Sequence, residues 1–122
     1  MQTEYPQANP YARTYTCDGF IVVEVHGEID MSTAGDLAAH LEAATAGPEP
    51  KVLVDLRRVD FFDCSGLRVL CRAESRAKEH DGSLRLISDT DKMRRLLRAA
   101  GLLTRFPPLP EVPPPSRPGS GS

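Results

Sequence analysis

Val52-Leu53-Val54-Asp55-Leu56 followed by Arg57-Arg58-Val59-Asp60-Phe61-Phe62-Asp63-Cys64-Ser65-Gly66-Leu67 contains the change of hydrophobic period that decides the fold. The first five residues are an almost unbroken apolar run, as expected for a strand covered on both faces. From Cys64 to His80 the period becomes helical: Leu67, Leu70, Cys71, Ala73 and Ala77 turn to one side. Arg68, Arg72 and Arg76 stand at i, i+4 and i+8 on another, and Asp81-Gly82 closes the segment. Asp63 is a suitable N-cap, and Phe62 at N′ with Leu67 at N4 has the spacing of a hydrophobic staple.

Upstream, Thr14 to Cys17 and Phe20 to Val25 are β-rich runs separated by Asp18-Gly19, a pair suited to a type I′ turn, so the first two strands are expected to be antiparallel. Thr33 to Ala46 places Ala34, Leu37, Leu41 and Ala44 at helical spacing, with Thr33 and Asp36 in capping-box register and Gly47 as the stop. Downstream, Leu84 to Ile87 reads as a strand. Asp89 to Ala100 reads as a helix bearing Met93, Leu96, Leu97 and Ala100, with Gly101 at C′. The order β, β, α, β, α, β, α implies right-handed parallel crossovers. The expected fold is a single α/β domain with a mixed four- or five-stranded sheet, an antiparallel N-terminal hairpin and helices covering at least one face.

The length, 122 residues, suits one domain. Seven of the eleven prolines lie between Pro107 and Pro118, in a segment ending Gly-Ser-Gly-Ser. The expected boundaries are therefore a loose arm at 1–12, the folded domain at 13–106 and a disordered Pro-rich tail at 107–122, with a PxxP match at 115–118. Net charge is −2, without the basic excess that direct nucleic-acid binding requires. No apolar run approaches the roughly 20 residues of a membrane span, and the first ten residues lack the pattern of a secretory signal. Cys17, Cys64 and Cys71 form no CxxC pair, which favours a reducing, cytoplasmic setting. Residues 1–63 carry 4 basic and 11 acidic side chains, and residues 64–105 carry 10 and 5, so the folded domain is expected to be electrically polarised.

Catalytic signatures are missing. The glycines build no GxSxG, GxGxxG or GxxxxGK[ST], and no small-molecule substrate is evident. His26, His40 and His80 lack partners at ligand spacing, so neither metal nor cofactor is assigned. The chemically suggestive residues are Cys64 and Ser65, which fall at N1 and N2 of a helix, where free N–H groups and the helix dipole favour added negative charge. The acidic loop Gly27-Glu28-Ile29-Asp30-Met31-Ser32-Thr33 leaves a strand at the same sheet edge, so Asp30 and Asp63 are expected to be neighbours.

Taken in order, Gly27-Glu28-Ile29-Asp30 with Ser32-Thr33-Ala34, then Val52 to Leu56, then Val59 through Asp63-Cys64-Ser65-Gly66-Leu67, and later Gly82-Ser83-Leu84-Arg85-Leu86, resemble the STAS domain of bacterial anti-sigma factor antagonists over about residues 14–106. The resemblance implies a STAS-like fold and a non-enzymatic switch that binds an anti-sigma factor and so releases a sigma factor for transcription. It also implies that the partner is commonly a serine kinase of the histidine-kinase-like ATPase class, which disengages the antagonist by phosphorylating it. The partner surface it points to is Asp30, Met31, Ser32 and Thr33 with Asp63, Cys64, Ser65, Gly66 and Arg68.

One position departs from that pattern. The family acceptor is the serine directly after the aspartate, and here that position holds Cys64. Three readings follow: an antagonist that phosphorylation no longer switches, Ser65 as a substitute phosphosite, or Cys64 as a redox-responsive thiol. The helix dipole would favour negative charge on Cys64, while Asp63 and Asp30 would oppose it. Two further alternatives are a STAS regulatory subunit of a transporter or lipid-trafficking complex, and a thiol-dependent enzyme with Cys64 as nucleophile. No His has an evident claim as the general base which that enzyme would need.

Overall fold

The computed structural model describes residues 5–113. Its elements run β1 (Ala12–Cys17), β2 (Phe20–Ile29), α1 (Ala34–Ala44), β3 (Lys51–Phe62), α2 (Cys64–Glu79), β4 (Ser83–Ile87) and α3 (Asp91–Ala99). The four strands lie in the order β1-β2-β3-β4, antiparallel for β1 with β2 and parallel for the other two pairs. Asp18 and Gly19 both have positive φ, 51° and 86°, the geometry a type I′ turn requires.

Alternation along the strands divides the core. Val23, Val25, Val52, Val54, Leu84 and Leu86 pack with Leu37 and Leu41 of α1, Leu67 and Leu70 of α2, and Met93 and Leu97 of α3. The opposite face buries Val22, Leu53 and Ile87 beneath Tyr15, Cys17, Phe20 and Val112. Val112 arrives because the chain after α3 returns along β4. Leu109 N–H donates to the Leu86 carbonyl at 2.9 Å, and Ser88 N–H donates to the Leu109 carbonyl at 2.8 Å. An edge strand offers such unpaired groups to any extended segment that reaches it. Residues 107–112 of the expected tail therefore cover part of the sheet, while the PxxP match at 115–118 lies outside the described residues. At the other end, Asn9 Oδ1 accepts from Tyr11 and Ala12 N–H at 2.8 and 2.9 Å, so contacts begin within the expected arm.

Several local expectations change. β3 continues past Leu56 to Phe62, because register shifts between Glu24 and His26 and between Gly27 and Glu28 let β2 keep pairing with it. The Thr33–Asp36 capping box does not form: the Thr33 side chain makes no cap bond and serves the preceding loop instead. α1 ends at Ala44, with Thr45 as its C-cap and no positive φ at Gly47. α3 starts two residues later than expected, capped by Thr90, whose hydroxyl accepts from Met93 N–H at 3.2 Å.

Candidate functional site

Pairing of β2 with β3 sets the corner where the two acidic loops leave the sheet. Ile29 is opposite Phe62, and Asp63 N–H donates to the Ile29 carbonyl at 3.2 Å. Asp30 and Asp63 therefore start their loops side by side.

Asp63 is the N-cap of α2. Its Oδ1 accepts from Ser65 N–H at 2.8 Å, and its carbonyl accepts from Gly66 and Leu67 N–H at 3.1 and 3.2 Å. Phe62 and Leu67 both join the buried cluster, as the staple spacing predicts. Between them, Gly66 is forced by space: a Cβ there would stand 2.5 Å from Cζ of Phe62.

The neighbouring loop is tied by Asp30 and Thr33. Asp30 Oδ1 accepts from Ser32 Oγ at 2.7 Å, Ser32 N–H at 2.9 Å and Thr33 N–H at 3.2 Å. The Ser32 side-chain bond, then the Ser32 and Thr33 backbone bonds, hold the Asp30 carboxyl below its usual range. Thr33 Oγ1 accepts from Asp30 N–H at 2.9 Å and donates to the Glu28 carbonyl at 2.8 Å. That is where the hydroxyl expected to cap α1 is used.

Cys64 and Arg68 are exposed, Asp30, Asp63 and Ser65 are half-buried, and Gly66 and Thr33 are buried. Met31 is 85% exposed and Phe61 44%, and these are the two large apolar side chains left open among the described residues. Both flank the corner. Phe61 is not among the residues expected from the sequence: only when Arg57 to Phe62 pairs with β2 does alternation turn Phe61 away from the core face that holds Phe62.

Other candidate groups lie elsewhere. His26 Nε2 is 2.8 Å from Glu24 Oε1, buried His40 lies between Thr14 Oγ1 at 2.6 Å and the Gln7 carbonyl at 3.2 Å, and His80 Nδ1 is 2.8 Å from the Thr45 carbonyl. Each ring is engaged away from Cys64. Among the described residues, no three His, Cys, Asp or Glu side chains are placed to hold a metal ion, and no helix is long and apolar enough to cross a membrane. Arg68 and Arg72 are exposed and Arg76 half-buried, and none of the three is in an ion pair among the described residues.

Comparison with known proteins gives consistent matches. A family model described as "Mlab, STAS domain" matches residues 18–109. The anti-sigma-F factor antagonist RsfA of Mycobacterium tuberculosis is 33% identical over 87 residues, covering 69% of this chain and 67% of that protein. The anti-sigma-B factor antagonist of Staphylococcus aureus is 28% identical over 89 residues, covering 73% and 82%. The crystal structure of an anti-sigma factor antagonist from Mycobacterium paratuberculosis superposes with a TM-score of 0.74 at 27% identity, covering 89% of this chain and 92% of that one.

Proposed function

The chain belongs to the STAS-domain family, and from that premise we propose that it is an anti-sigma factor antagonist, a regulator that binds an anti-sigma factor in the cytoplasm and so frees a sigma factor. The docking surface we assign is the corner of Asp30, Met31, Ser32 and Thr33 with Asp63, Cys64, Ser65, Gly66 and Arg68. The observation that carries this reading is the exposure of Cys64 at the first turn of α2, on a cap whose Asp63 N–H is hydrogen-bonded to the Ile29 carbonyl where the neighbouring acidic loop begins. Met31 supplies the apolar contact that a protein partner would cover.

Cys64 occupies the position that resembles the family's phosphoacceptor, and a thiol there removes the hydroxyl that a serine kinase would use. We assign this chain as an antagonist that remains competent in the presence of ATP and its partner, the partner itself being a serine kinase of the histidine-kinase-like ATPase class. The energetics show what the substitution removes. A phosphate adds about −1.5 to −2 charges, and placed beside Asp63 and Asp30 at an interface it costs several kcal/mol. At 1.4 kcal/mol per tenfold, that exceeds a hundredfold in affinity. Ser65 is half-buried, whereas Cys64 is exposed, which supports leaving Ser65 outside the switch.

Titrating the purified protein into its anti-sigma factor, followed by calorimetry, tests the reading. Saturable binding weakened at least tenfold by Met31→Asp supports it. Absence of binding, or binding indifferent to Met31, contradicts it.

A further inference from the structure

Between the outgoing end of β3 and α3 lies an open groove of about 320 Å³. β3 contributes Leu56, Val59 and Phe61 to its lining, and α3 contributes Met93 and Leu96. Phe61, 44% exposed, is the residue an occupant would cover. Lys92, Arg95 and Asp60 bring charge to the same groove. Lys92 Nζ donates to the Asp60 carbonyl at 3.3 Å, leaving further N–H donors for an occupant. Arg95 is exposed and makes no ion pair among the described residues. Two cations against the single Asp60 carboxylate leave the groove positive.

We propose that this groove binds a small amphiphile, an unbranched apolar body in the cleft with one anionic head, a carboxylate or phosphate monoester, held by Lys92 and Arg95. The size is that of small-ligand sites, which run from about 300 to 1,000 Å³ and combine an apolar lining with a few polar groups. The charge selects an anion over a neutral lipid. The site is independent of the anti-sigma reading, but it adjoins the corner through Phe62, which lines the groove and seats Gly66.

The test is amide-resolved NMR titration of the full chain with sodium decanoate, decyl phosphate and decanol. Saturable shifts centred on Phe61, Met93 and Leu96 with either anion, and at least tenfold weaker binding of decanol, support the proposal; whichever anion binds more tightly identifies the head group. The double variant Lys92→Glu/Arg95→Glu keeps the parent melting temperature, since both side chains are exposed, and loses the preference for the anions. Equal binding of decanol, no saturable shift, or shifts centred elsewhere would overturn it. So would concentration-dependent shifts of these residues without ligand, which would assign the groove to a second copy of the chain.

Discussion

The ring of Phe62 occupies the space above Gly66 so fully that a methyl group on residue 66 would meet all of its far edge, the nearest atom at 2.5 Å. The last residue of β3 and the third residue of α2 are thus fitted to one another. This contact, together with the Asp63 cap, fixes the direction in which Cys64 is presented.

Gly66→Ala forces Phe62 out of a packed position. Overpacking of this kind costs about 1–3 kcal/mol, and denaturant unfolding should report a loss in that range. Partner affinity should fall as well, because the turn must move.

Removing the cap separates its two contributions. Asp63→Ala loses the acceptor for Ser65 N–H and should destabilise the domain by about 1 kcal/mol without unfolding it. Asp63→Asn keeps an acceptor oxygen and should stay close to the parent in stability. If the Asn variant also binds the partner normally, the corner is read by shape; if it binds weakly, the carboxylate charge is read. Chemical denaturation and binding calorimetry on both variants check this.

The cap and the acidic loop were legible because they rest on local chemistry: Asp63 before an apolar-periodic run, and two loops brought to one edge by parallel crossovers. The remainder depends on contacts between distant segments. Arg57 to Phe62 is half polar and mostly exposed, without a clean alternation, so its pattern does not signal a strand; its backbone pairing with β2 makes it one. Thr33 has the spacing of a capping residue, but Glu28 and Asp30 compete for its hydroxyl and win. The prolines after Phe106 indicate a segment without a core of its own, yet Leu109 and Val112 meet an edge strand and an apolar face that only the folded sheet provides.

Buried Glu74, with two more exposed cationic partners, gives a pH prediction. Glu74 is 5% exposed and takes Arg105 Nε at 2.7 Å and Lys78 Nζ at 3.0 Å. Burial pushes its carboxyl up, but the hydrogen bonds and charges of Arg105 and Lys78 outweigh that and hold it below the usual range. A depressed folded value means that the group stabilises the fold above its unfolded value, near pH 4.3, and that this contribution is lost as pH falls through the folded value. Arg105→Ala should cost about 1.5–3 kcal/mol at neutral pH and flatten the acid limb of the stability profile below pH 4.3. Urea midpoints measured from pH 7 to 2 check the sign; an unchanged acid limb would place the acid sensitivity elsewhere.

The most direct measurement combines intact mass with binding. The parent protein and Cys64→Ser are each incubated with the anti-sigma factor that binds them and ATP, and then scored for added phosphate and for retention in the complex. The account predicts that the parent gains no phosphate and stays bound, whereas Cys64→Ser gains one phosphate and is released. Phosphate on the parent, removed by Ser65→Ala and accompanied by release, would contradict it.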